Sequence, residues 1–189
     1  MSRIGKKPIK IPEEVEVKIS GDLVVVKGPK GELSLKIRPE IKVEIKDADQ
    51  RTGPSGKILV VTPRIETKKT KAFWGLTRSL LANNIKGVIE GYEKKLVIEG
   101  LGYKAALEGE DLVLRVGFTH PVKIKTPQGI NFSVDKNIIT ISGISKEKVS
   151  QVAATIRKVR PPDPYKGKGI KYLGEIIKRK SGKKVVTTT

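Results

Sequence analysis

The chain has 189 residues, 37% hydrophobic but only 4% aromatic, so it can bury cores, and these must be small and built mainly of Val, Ile and Leu. It has no cysteine and a single histidine, which excludes disulfides, thiolate sites, thiol nucleophiles and any cluster of imidazole ligands. Against 20 acids stand 39 Lys and Arg, a net charge of +19 and a pI near 10.0, which points to a polyanionic partner.

Residues 1–10 carry +4 with no acid and no apolar stretch behind them, so they read as a basic arm and not as a secretory signal. Residues 15–19 alternate apolar and polar, Gly21-Asp22 supplies a turn, and residues 23–26 return as a partner strand. Gly28-Pro29-Lys30-Gly31 turns the chain again into a strand over 33–37; residues 41–45 and 58–61 follow as strands on either side of a polar loop, 47–57. Alternation of this kind leaves one sheet face to be covered. A helix over about 67–85, with Ala72, Phe73, Leu76, Leu80 and Leu81 at helical spacing and an end before Gly87, supplies the cover.

The second half repeats the plan. Strands are expected over 95–98, 104–107, 112–116, 122–124, 132–134 and 138–141, the last two joined through Asp135-Lys136-Asn137. A helix then follows, with Ser145 as candidate N-cap, Glu147 in its first turn, Val149, Val152, Ala153 and Ile156 on one face, and Pro161 as its stop. The fold class is therefore α+β, with two duplicated domains, each an antiparallel β-sheet packed on one α-helix, plus a basic C-terminal extension. The expected boundaries are 1–84, 85–172 and a basic tail, 173–189.

Catalytic and cofactor motifs weigh against themselves. Gly100-Leu101-Gly102-Tyr103-Lys104-Ala105 mimics a dinucleotide fingerprint, but that chemistry needs a following helix, and Gly109-Glu110-Asp111 turns the chain into another strand instead. No Gly-rich loop ends in Lys followed by Ser or Thr. His120, within Gly117-Phe118-Thr119-His120-Pro121, reads as part of a packed or hydrogen-bonded loop. The pairs Glu13-Glu14 and Glu110-Asp111 lie in polar turns as solvated acids. No metal, cofactor, catalytic residue or small-molecule substrate is expected. No apolar run approaches the roughly 18–20 residues that span a bilayer, so the chain is expected to be soluble and cytoplasmic.

The excess charge lies mostly outside the two strand-rich bodies, which is the distribution of a protein that lays basic segments on a polyanion. Residues 157–184 alone carry +9. Within them, Pro161, Pro162 and Pro164 stiffen the exit from the second helix, so the chain beyond reads as an extended arm. Lys166-Gly167-Lys168-Gly169 alternates cations with residues lacking the Cβ that would hold a phosphate or ribose away. Tyr165 and Tyr172 can stack on unpaired bases or pack on the domain. Lys178-Arg179-Lys180-Ser181-Gly182-Lys183-Lys184 has the composition of a segment ordered by a polyanion.

At Pro162-Asp163-Pro164-Tyr165-Lys166-Gly167-Lys168-Gly169-Ile170 the sequence resembles the signature of the large-subunit ribosomal protein L6 family, bacterial type. Met1-Ser2-Arg3-Ile4-Gly5-Lys6-Lys7-Pro8-Ile9, Val26-Lys27-Gly28-Pro29-Lys30-Gly31, Trp74-Gly75-Leu76-Thr77-Arg78 and the block ending His120-Pro121 resemble it too, in the same order along the whole chain. The loop at 47–57 and the tail after Lys180 match no block. The resemblance implies two related domains and a structural, non-enzymatic role. It implies binding to large-subunit rRNA of the 23S type, beside neighbouring ribosomal proteins, near the factor-binding region and the stalk base. Tyr165, Lys166, Gly167, Lys168 and Gly169 match the motif and are its implied contacts. Arg157, Arg160, Lys171, Lys178, Arg179, Lys180, Lys183 and Lys184 join them on charge and proximity. The charge alone also suits a general, DNA-compacting nucleic-acid-binding protein. A membrane-surface role would need a lipidation signal or an amphipathic apolar partner for the tail, and the sequence has neither.

Overall fold

The computed structural model describes residues 3–47, 56–65 and 67–182, and the chain divides into two compact units. The first comprises residues 1–91 with 144–146, the second 92–143 with 147–189.

In the first unit, β2 (Glu16–Ser20) and β3 (Leu23–Gly28) form a hairpin because Gly21 takes φ +59° at the turn, where a side chain would be strained. β4 (Gly31–Lys36) continues the meander through Pro29-Lys30. A second sheet, in the order β1-β6-β5, is built from β1 (Ile9–Lys10), β5 (Ile41–Asp47) and β6 (Lys57–Pro63). The single sheet expected from the alternation is thus two small antiparallel sheets. β1, which the basic composition of the N-terminus concealed, ties that segment down. Val24, Val26, Leu59, Leu81 and Val88 are fully buried between the sheets and α1 (Lys68–Ile89).

Thr67 caps α1, its hydroxyl accepting from Thr70 N at 3.1 Å. The helix runs through Gly87 instead of ending before it. Val88 is wholly buried and packs on Gly28, where an added Cβ would lie 2.7 Å from Val88 Cγ2. Burying a Val stabilises by about 1.5–3 kcal/mol, which outweighs the roughly 1 kcal/mol that a helical glycine costs. The buried stripe is also rotated from the expected one: Thr70, Trp74, Thr77, Leu81, Ile85 and Val88 face inward, while Ala72 is exposed and Leu76 is 51% exposed. Two threonines took core positions that a count of Leu and Phe overlooks, and Trp74 fixes the rotation by donating from Nε1 to Val61 O at 2.6 Å.

The second unit has a four-stranded sheet, in the order β11-β12-β7-β13, and a three-stranded one, β10-β9-β8. Its strands are β7 (Tyr92–Glu99), β8 (Lys104–Glu108), β9 (Asp111–Arg115), β10 (Val122–Ile124), β11 (Ile130–Asp135), β12 (Ile138–Gly143) and β13 (Gly169–Tyr172). Lys136, at φ +51°, makes the turn between β11 and β12. α2 (Lys146–Val159) starts directly after Ser145 and buries Val149, Val152, Ala153 and Ile156, the face read from the sequence. Gly100 to Gly102 form a turn into a strand and not into a helix, with Gly102 at φ +73°, so the dinucleotide-like pattern is a connection. His120 is exposed, which removes the packed form of the packed or hydrogen-bonded loop expected. The break between units falls between Gly91 and Tyr92, later than the expected 84/85 boundary, because α1 is longer than its Leu pattern. No helix among the described residues is long and apolar enough to cross a membrane.

Candidate nucleic-acid interface

Beyond α2 the chain does not leave its unit. Ile170 N donates to Arg160 O at 2.8 Å, and inside that closure Asp163 N donates to Lys168 O at 2.9 Å and Gly167 N to Asp163 O at 2.8 Å. The Asp163 carboxylate accepts from Tyr165 N at 3.1 Å and from Lys166 N at 3.2 Å, the local bonding that suits Asp to turns. β13 then adds to the edge of β7, with Ile170 opposite Ile98 and wholly buried. The expected extended arm is therefore a closed loop followed by an edge strand. The physical reason is that Ile170 has a core to enter, worth about 1.5–3 kcal/mol, and the loop satisfies its own backbone groups.

The glycines serve this closure. Gly167, at φ +71°, and Gly169, at φ +148°, are both buried. A Cβ on Gly169 would lie 2.6 Å from Pro162 Cα and 2.7 Å from Pro161 O; on Gly167 it would lie 3.3 Å from the Arg179 guanidinium. The position of each missing Cβ is thus met by neighbouring atoms of the chain itself.

Past β13 the chain turns back. Leu173 N donates to Lys95 O at 3.0 Å, Glu175 N to Tyr172 O at 3.0 Å, and Lys180 N reaches Pro164 O at 2.9 Å, which carries Arg179 onto Gly167. The returning segment thus brings Lys178, Arg179 and Lys180 to the loop that presents Tyr165, Lys166 and Lys168. Arg160 lies at the loop's start, its guanidinium 5.3 Å from the centre of the Phe118 ring. All seven are exposed, Tyr165 by 57%. Beside them a shallow cavity of about 300 Å³ is lined by Tyr103, Arg160, Pro161, Asp163 and Lys168.

The remaining expected residues sort differently. Arg157 donates through Nε to Glu175 Oε2 at 3.0 Å and through a second nitrogen to Oε1, a two-pronged pair that orients the tail. Lys171 pairs with Glu99 at 2.7 Å. Tyr172 packs against the core between the cations of Lys94 and Arg157, so it is no stacking platform. Lys183 and Lys184 lie outside the described residues. Sequence reasoning passed over Asp163 and Glu175. The signal was their rarity: they are the only acids within 157–184, and both are used internally, Asp163 on backbone N–H groups and Glu175 on Arg157. The outward cations of the loop and returning segment have no ion-pair partner among the described residues.

The hydrogen bond from Arg157, opposed by burial and aided by the N–H of Tyr172, holds the Glu175 carboxyl below its ordinary value of 4.5. A carboxylate whose pKa falls on folding contributes stability above its unfolded value, and that contribution is lost as pH falls through the folded one. Acidification from pH 6 to below the ordinary carboxylate range is therefore expected to release the returning segment. Amide exchange at Lys180, whose N–H is held by Pro164 O, reads this directly; protection there that is flat across the range contradicts the tether.

The family model described as ribosomal protein L6 matches residues 11–91 and 99–173. The chain is 50% identical over 186 residues to the large ribosomal subunit protein uL6 of Persephonella marina, covering 98% of this chain and 99% of that one. It is 52% identical over 184 residues to the protein of the same name from Caldicellulosiruptor saccharolyticus, covering 97% and 96%. The corresponding protein of Caulobacter vibrioides is 47% identical over 185 residues, covering 97% and 99%.

Proposed function

Because this chain belongs to the ribosomal protein L6 family, we propose that its closed 160–170 loop and the segment returning across it grip large-subunit rRNA by the sugar-phosphate backbone. The chain is a structural constituent of the large ribosomal subunit, in the cytoplasmic ribosome; it binds 23S-type rRNA beside neighbouring ribosomal proteins and is not an enzyme. The observation that carries the residue-level reading is the sorting of charge. The two acids of the segment are bonded within it, while Arg160, Lys166, Lys168, Lys178, Arg179 and Lys180 are exposed around a loop whose backbone is already bonded.

A cation cluster fixed in this way loses little freedom on binding and releases counterions from each phosphate that it neutralises. Gly167, Gly169, Arg157 and Lys171 act as shapers of the loop and its strand. Tyr165, exposed at the tip, can stack on an unpaired base. Lys183 and Lys184 extend the same charge. The region near the factor-binding site and the stalk base is the proposed location. A DNA-compacting role is not favoured, since the relatives are proteins of the large subunit.

The test is co-sedimentation with large subunits over a salt series. Binding is expected to weaken with a log–log slope of roughly −3 or steeper, as for about four or more neutralised phosphates. A nearly flat dependence, or equal affinity for duplex DNA and for folded rRNA fragments, rejects the reading.

A further inference from the structure

We infer that the first unit carries a second anion-binding surface, formed where residues 3–7 are pinned along α1, and that it takes a ribose-phosphate backbone. The inference rests on the reading of the chain as an rRNA-binding protein, but not on the placement of the 160–170 loop.

Gly5 is buried against the indole of Trp74 so closely that an added Cβ would lie 2.7 Å from the ring. Lys7 N donates to Ile4 O at 3.2 Å, and Arg78 Nε donates to Lys7 O at 3.2 Å. Trp74 is itself fixed by its bond to Val61 O. The N-terminal segment is therefore no loose arm. Its backbone is clamped to the stripe of α1 that carries Lys71, Trp74 and Arg78 at helical spacing.

This clamp leaves Arg3, Lys6 and Lys7 exposed along a helix that also carries the exposed Lys71, one turn before Trp74. None of these cations, nor Arg78, has an ion-pair partner among the described residues. α1 also opens with Lys68, Lys69 and Lys71 and no acid in its first turn, where the helix dipole disfavours positive charge. Cations gathered along a clamped backbone with no acid among them offer an outside anion several contacts at once. Residues 1–10 and 64–84 together hold nine bases and one acid. A phosphate backbone supplies a matching density of negative charge as a regular property, and an acidic protein patch only by special construction.

The test uses the full chain with Lys6, Lys7 and Lys71 replaced by Ala, which leaves Gly5, Trp74 and Arg78 in place; a Lys6→Gln, Lys7→Gln, Lys71→Gln version keeps polar stems. rRNA footprints and a salt titration are compared with those of the unaltered chain and of a Lys166→Ala, Lys168→Ala chain. The only tryptophan of the chain, Trp74, reports by its emission that the clamp is intact. Expected is the loss of one set of protected nucleotides while the set that depends on Lys166 and Lys168 persists. Affinity should fall about tenfold and the salt slope should become shallower by about 2–3. Unchanged footprint and slope overturn the inference, as they would if this surface faced solvent or an acidic protein. Failure of the unaltered chain to bind rRNA overturns the wider reading, and is seen without any variant.

Discussion

Replacing Lys166, Lys168 and Arg179 together with Ala is expected to weaken rRNA binding on the order of a hundredfold at moderate salt and to make the salt slope shallower by about 3. These side chains are exposed and unpaired among the described residues, while the bonds that close the loop come from its backbone and from Asp163. The triple variant should therefore keep the stability of the unaltered chain. Binding titrations at several salt concentrations, run beside an unfolding curve, separate the two quantities. Unchanged affinity with unchanged stability would show that the loop is not the site.

Gly169→Ala is expected to act the other way, through the fold. The residue sits at φ +148°, and the new methyl would meet Pro162 Cα at 2.6 Å and Pro161 O at 2.7 Å. Both neighbours are backbone atoms of prolines whose φ is fixed by the ring, so neither can move aside cheaply. Left-handed strain alone costs about 1–3 kcal/mol, and relieving the overlap means pulling β13, and with it Ile170, away from β7. A loss of about 3 kcal/mol or more from the second unit is expected, with rRNA binding lost as the loop opens. Gly182→Ala is the control: its Cβ would meet nothing within 4 Å, and a change within about 0.5 kcal/mol is expected. An unfolding midpoint for Gly169→Ala equal to that of the control would remove the loop's packing from the account.

Strands were legible wherever apolar and polar residues alternate between turn residues, as in β2 to β4 around Gly21 and the Gly28 to Gly31 turn. α2 was legible to its buried face, because its apolar positions coincide with its core contacts. α1 was not. Its register is set by a tryptophan bond to Val61 O and by two buried threonines, which are tertiary facts without a periodic signature. β1 and β13 were hidden for a related reason: each is short and carries lysine, so local composition resembles an arm, while the pairing partners, β6 and β7, lie far away in the chain.

The candidate interface shows the same division. The charge of residues 157–184 marks the region, but composition cannot separate Lys166 and Lys168, which face outward, from Lys171, which Glu99 neutralises across β7 and β13. Nor can it say that a Cβ on the glycine after Lys168 would meet Pro161 and Pro162. The acids would have been the better guide. In a segment so rich in cations, a retained Asp or Glu has structural work, and Asp163 and Glu175 hold the loop and the returning segment.

The most direct test is a density map of the large subunit assembled with this chain, read at the 160–180 segment. The expected result is Lys166 Nζ, Lys168 Nζ and the Arg179 guanidinium within about 2.7–3.2 Å of rRNA phosphate or ribose oxygens, with the loop closed as described here. A loop turned toward solvent, or one touching only protein with no rRNA oxygen in hydrogen-bonding reach, would contradict it.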